Sequence, residues 1–143
     1  MLFRSVTVTD PSGNSRTVTA ATLTVRTDTV KPSVTILRPS AASNRSSWNP
    51  LVLKASDSRS GVAKVRVKVT QRRSTGWYHF TGTSWVKGAT ATWIPAARVS
   101  GTGARWSIAV TALTRGRLVV EARSVDAAGN RSRTSTASVT LSR

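Results

Sequence analysis

The 143-residue sequence predicts an all-β fold, an antiparallel β-sandwich of about seven strands. Three observations lead there. Apolar and polar residues alternate with period two along several segments, and helical periodicity is absent. Val, Thr and Ser dominate those segments, as suits a pleated surface with one wet face. Turn signals, such as Asp126-Ala127-Ala128-Gly129-Asn130, separate them.

Taken in order, strands are expected at 33–37 and 51–56, then at 62–71. In the last of these Ala63, Val65, Val67 and Val69 alternate with Lys64, Arg66 and Lys68. The stretch from Gly76 to Gly103 carries Trp77, Trp85 and Trp93 among Gly, Thr and Ser, and predicts one or two short strands with loops. At 106–113, Trp106, Ile108, Val110 and Ala112 alternate with Ser107, Ala109 and Thr111. At 117–125, Leu118, Val120 and Ala122 alternate with Val119, Glu121 and Arg123. At 133–141, Ala137, Val139 and Leu141 alternate with Ser138 and Thr140. One apolar face per strand means sheets with a single buried side. Val65, Val67, Trp106, Ile108, Val120 and Val139 are therefore expected in the core. The strand count is that of an immunoglobulin-like sandwich, in which the third, sixth and seventh strands share a sheet.

An internal repeat sets the expected domain boundary. Asp10-Pro11-Ser12-Gly13-Asn14 recurs 116 residues later as Asp126-Ala127-Ala128-Gly129-Asn130. At the same offset Leu23-Thr24-Val25 falls on Val139-Thr140-Leu141, and Leu2-Phe3 on Leu118-Val119. Residues 1–27 then read as the C-terminal hairpin of a truncated upstream repeat, 28–32 as a linker, and 33–143 as a complete sandwich. A lone hairpin is not stable in water, so the hairpin either belongs to a longer array or packs on something outside its own domain. Assembly by strand exchange through this hairpin is one such route.

Composition narrows the function. There are no cysteines, which excludes disulfides, thiolate metal sites and cysteine nucleophiles. No apolar run is long enough for a membrane helix, so membrane insertion is not expected. Met1-Leu2-Phe3-Arg4-Ser5 leads into Val/Thr alternation without the apolar stretch of a signal peptide. Lys+Arg is 22 against five Asp+Glu, a net charge of +17. Such a surface attracts polyanions, including nucleic acid, anionic cell-wall polymers and acidic lipids. Arg-rich composition with solvated strand faces is the plainer reading of the same numbers. His79 is the single histidine, in Trp77-Tyr78-His79-Phe80, and no serine belongs to a motif with a base. Glycine loops for phosphate and zinc spacings are also lacking, so the chain is not expected to be an enzyme and requires no cofactor.

Four motifs carry a family resemblance. They are the linker Asp28-Thr29-Val30-Lys31-Pro32; the turn Ala55-Ser56-Asp57-Ser58-Arg59-Ser60-Gly61-Val62; the spaced tryptophans Trp77, Trp85, Trp93 and Trp106; and Ala122-Arg123-Ser124-Val125-Asp126-Ala127-Ala128-Gly129-Asn130. In this order they resemble the bacterial immunoglobulin-like or fibronectin-III-like repeats of extracellular surface proteins and multidomain secreted enzymes. The resemblance implies an extracellular or cell-surface location and a structural or adhesive spacer role. It also implies neighbouring repeats of the same polypeptide as partners. Such repeats are usually neutral or acidic, and the charge here departs from that pattern.

Three groups of residues are candidate sites. Lys64, Arg66 and Lys68 should point outward beside Arg117 and Arg123, with Arg72, Arg73, Arg131 and Arg133 at the edges, forming one basic face suited to an anionic polymer or glycan. Trp77 and Trp85 flank a Gly/Thr-rich turn and offer flat rings for stacking, or simply cover the core. Asp28, Asp57, Asp126 and Asn130 should converge at the pole where the first strand begins. Calcium takes several oxygen ligands at one point, while an Asp that opens a turn is equally satisfied by backbone N–H groups.

Overall fold

The computed structural model describes residues 5–19 and 27–142. Twelve strands are present among them: β1 (Ser5–Thr9), β2 (Ser15–Thr19), β3 (Ser33–Leu37), β4 (Leu51–Ser56), β5 (Val62–Arg73), β6 (Gly76–Phe80), β7 (Trp85–Lys87), β8 (Ile94–Pro95), β9 (Ala97–Arg98), β10 (Arg105–Ile108), β11 (Gly116–Asp126) and β12 (Ser135–Leu141). A single 3-10 turn, Arg45–Trp48, precedes β4. One sheet runs β3-β4-β10-β9 and the other β12-β11-β5-β6-β7, with β8 paired to β5. Every pairing is antiparallel. This is the strand order of an immunoglobulin-type sandwich, with its second sheet extended beyond β5. The Trp-bearing middle region thus holds four short strands rather than one or two.

The core lies between the two sheets. Val34, Ile36, Leu51, Leu53 and Ala55 face Val65, Val67, Val69, Leu118, Val120 and Ala122, and all are buried. Trp48, Phe80, Ile94 and Trp106 fill the space around them. Each fully buried Val, Leu, Ile or Phe contributes about 1.5–3 kcal/mol by leaving water. Trp48 carried no signal in the period-two pattern because it sits on the 3-10 turn, where its Nε1 donates to the Ala42 carbonyl at 2.7 Å.

Four positions depart from strict alternation, each for a local reason. Ala63 is exposed because Lys64 pairs with Val125 and Val62 with Asp126, which leaves Ala63 as the extra residue of a bulge. Val139 is half-buried because β12 is the edge of its sheet. Ile108 is half-buried because β10 ends there. Ala112 is exposed and has φ +54°, so the segment 109–113 has left the sheet.

What draws that segment away is a set of side chains from β5 and β7. Gln71, fully buried, donates from Nε2 to the Thr114 carbonyl at 2.6 Å and accepts from the Thr114 amide at 3.3 Å. Arg73 Nη2 donates to the Ala112 carbonyl at 3.1 Å, and Trp85 Nε1 to the Thr111 carbonyl at 2.8 Å. Buried polar groups need partners, and here the loop backbone supplies them.

The β1–β2 hairpin forms a sheet of its own. Its turn repeats the turn after β11. Asp10 N donates to the Asn14 carbonyl, Asn14 N to Asp10 Oδ1 and Asn14 Nδ2 to Asp10 Oδ2; the same three bonds link Asp126 and Asn130. Gly13 and Gly129 take φ +85° and +92° at the equivalent place. The two turns differ in burial: Asp126 is buried and Asp10 exposed. Val8 is 65% exposed. The repeat positions Leu2, Phe3 and Leu23 to Val25 lie outside the described residues.

Gly116 is the tightest point of the fold. Its φ is +126°, and a Cβ there would overlap the Arg72 carbonyl oxygen. Gly116→Ala should therefore cost about 2 kcal/mol or more. The check is the urea midpoint, which should fall with an unchanged slope.

Candidate functional site

The outer face of the β12-β11-β5-β6-β7 sheet follows from its inner one. Side chains alternate along a strand, so burying Val65, Val67 and Val69 turns Lys64, Arg66 and Lys68 outward. Arg72 follows on the same side, beyond the outward Thr70. On β11 the buried Leu118, Val120 and Ala122 turn Arg117, Glu121 and Arg123 outward. The register then sets Arg123 directly opposite Arg66, Arg117 opposite Arg72, and Glu121 opposite Lys68. All five residues expected to bind polyanions share this face. Partial burial lowers the Arg123 pKa from its ordinary value, and Arg131 and Arg66 push it the same way.

A tryptophan that the sequence did not single out as a ligand site lies on the same face. Ile94 pairs with Val67 and Pro95 with Arg66, so Trp93 falls beside Lys68. Lys68 Nζ is 5.0 Å from the centroid of the Trp93 ring and Arg123 Cζ is 4.0 Å from it. Both are cation–π contacts. The facing of Trp93 follows from strand alternation: Ile94 is buried, so its neighbour Trp93 faces out. Reading it required knowing that two residues, Ile94–Pro95, form a strand.

Trp77 and Trp85, read as a pair from sequence, part company. Trp77 lies opposite Arg72 on the outer face, half-buried, and His79 follows on that face opposite Thr70. Trp85 pairs with Phe80 and faces the core, with ring centroids 5.3 Å apart. Its outer ring surface is covered by Arg73, whose Cζ is 4.6 Å from the centroid. Arg73 was expected among the basic edge residues, but it lies two residues beyond the buried Gln71, on the same face of β5, and turns inward. It stacks on Tyr78 as well, at 4.8 Å, and donates to Gln71 Oε1. Burial lowers the Arg73 pKa. Arg73 and Trp85 thus lock the loop before β11.

The acidic pole is assembled where the sandwich topology brings the linker before β3 and the two turns together. Carboxylate oxygens of Asp28, Asp57 and Asp126 lie within 4.8 Å of one another. Asp28 accepts from Val30 N at 2.9 Å and Ser60 N at 3.1 Å. Asp57 Oδ2 accepts from Arg59 N and Gly61 N, both at 2.9 Å. Asn130 closes the group, donating from Nδ2 to Asp126 Oδ2 and to the Asp28 carbonyl, both at 2.9 Å. Turn chemistry therefore accounts for both oxygens of Asp28 and Asp126 and one of Asp57. Asp57 Oδ1 is buried with no partner. The donor set is all oxygen, the kind a hard cation such as calcium takes.

Neither the protein-family models nor the curated proteins contain a match to this chain. Among the described residues, no helix is long and apolar enough to cross a membrane. His79 Nδ1 lies 3.2 Å from the Gly88 carbonyl oxygen, a contact within the β6–β7 hairpin.

Ser60, foremost, and the Val30 amide hold Asp28 below the ordinary carboxylate value of 3.8. A depressed folded-state pKa means stability that is present above the unfolded value and lost as pH falls through the folded one. Thermal scans should show Asp28→Asn losing less melting temperature than wild type between about pH 5 and about pH 2, a range that spans the ordinary carboxylate value.

Proposed function

We propose that this chain is a non-enzymatic β-sandwich module that binds polyanions through the outer face of its β12-β11-β5-β6-β7 sheet. One observation carries the reading: Arg66 stands opposite Arg123 and Arg72 opposite Arg117 on adjacent strands. Like charges directly opposite one another destabilise a sheet, so an arrangement of this kind gains from an anion that spans them. The guanidinium fork suits phosphate, sulfate and carboxylate, and Arg supplies four of the cations on the face. No base-reading element is needed, so binding is governed by charge and by counterion release.

Retention on heparin resin at low salt, with elution as salt rises, is the expected behaviour. The double variant Arg66→Glu with Lys68→Glu should elute at clearly lower salt. Lys54→Glu with Arg105→Glu makes the same charge change on the exposed side of the other sheet, where the two residues pair. It should shift elution much less. Equal shifts for both doubles would reduce the effect to net charge, and a wild type that flows through would end the reading.

A second reading, the spacer module of an extracellular array, is favoured by the pole. The linker residue Asp28 is bonded to Ser60 in the β4–β5 turn and to Asn130 in the β11–β12 turn, which holds the incoming chain to the end of the sandwich. Calcium at Asp28, Asp57, Asp126 and Asn130 would supply the partner that Asp57 Oδ1 lacks and tighten this junction. A ligand of the native state alone raises stability by about 2.7 kcal/mol at a hundred times its Kd. The melting temperature should rise with millimolar calcium in wild type and stay level in Asp57→Asn; no rise in wild type leaves turn capping as the whole role of these residues.

A further inference from the structure

We infer that the polyanion is a single-stranded nucleic acid, its phosphates on β5 and β11 and its bases over a row of aromatic side chains beside them. The inference rests on the binding face proposed above and names its ligand class. β11 occupies one edge of β5, and β6 and β8 occupy the other. Beside Lys68 stands Trp93, beside Thr70 stands His79, and beside Arg72 stands Trp77. The outer face therefore carries an aromatic row, Trp93-His79-Trp77, parallel to a cationic row, Lys64-Arg66-Lys68-Arg72, interrupted by Thr70, with Arg123 and Arg117 flanking Glu121 on the far side. Val86, 44% exposed and opposite His79, widens the aromatic edge with an apolar surface.

Segregation of charge from flat surface is the feature of a single strand. Its phosphates run along one side and its bases hang from the other. An acidic glycan differs, because it carries its charge on the same rings that would stack. The repeat also fits. A nucleotide has as many backbone bonds as two residues of an extended peptide, so outward residues of β5, about 6.7 Å apart, match successive phosphates of an extended strand. A charged track with adjoining aromatic side chains is the general solution for single-strand binding. In the free protein Arg123 and Lys68 rest on the Trp93 indole. Moving them onto phosphates uncovers that ring for a base, while Trp77 beside Arg72 offers a second.

The test compares equal-length ligands by fluorescence anisotropy at one ionic strength: an oligothymidylate, the same oligomer without bases, and a heparin fragment of matched charge. The oligothymidylate should bind about tenfold more tightly than the abasic oligomer, since one stacked base is worth that much or more. Trp77→Ala should lower oligothymidylate affinity and leave abasic affinity unchanged. Equal affinity for the two oligomers in wild type overturns the inference and leaves polyanion binding standing, whatever the variant's stability. Tighter binding of heparin, weakened by Trp77→Ala, assigns the row to a glycan and overturns it too. Failure of all three ligands to bind removes the polyanion reading itself.

Discussion

The pairing of β5 with β11 is the constraint on which the rest of the molecule depends. It runs from Arg72 and Arg117 at one end to Val62 and Asp126 at the other. One register buries Val65, Val67 and Val69 with Leu118, Val120 and Ala122. The same register places Arg66 against Arg123 and Arg72 against Arg117 outside. Slipping the pairing by one residue would relieve the charges only by turning the valines into water. Core burial, at about 1.5–3 kcal/mol per side chain, outweighs cross-strand repulsion of at most about 1 kcal/mol per pair. The basic face is thus a consequence of the core, held in place by it.

The two ends of that pairing are closed by polar chemistry of different kinds. At one end Gln71, Arg73 and Trp85 bond to the backbone of residues 111–114 and satisfy it without a carboxylate. At the other, the inner face of β11 changes from Ala122 to Ser124 and Asp126, both buried, as the strand reaches the linker. Ser124 Oγ donates to the Ser33 carbonyl at 3.3 Å, which ties β11 to the start of β3. The acids of the pole are therefore set by strand alternation as much as by their turns.

Much of the fold was legible from sequence. Period-two alternation located β3, β4, β5, β11 and β12, because each has one buried face and β11 keeps that pattern over its whole length. The short strands β7, β8 and β9 were not legible, since two or three residues cannot display a period. Of the candidate sites, the five basic residues and the acidic pole came together because strand order brings them together. The tryptophans did not sort themselves. Trp77, Trp85 and Trp93 look alike in sequence, yet one covers the core and two lie on the basic face.

The repeated turns show where local information ends. Asp10 to Asn14 and Asp126 to Asn130 make the same hydrogen bonds, since an Asp accepting amides and a Gly at positive φ need only each other. Sequence by itself determined those turns, the inward and outward sides of each long strand, and the surplus of positive charge. It did not determine that Asp126 is 2% exposed, that Arg73 turns inward, or that Trp93 lies under Arg123 and Lys68. Those outcomes depend on which strands become neighbours. Hydrogen-bond pairing across residues far apart in the chain decides that, and only the packed sheets make it visible.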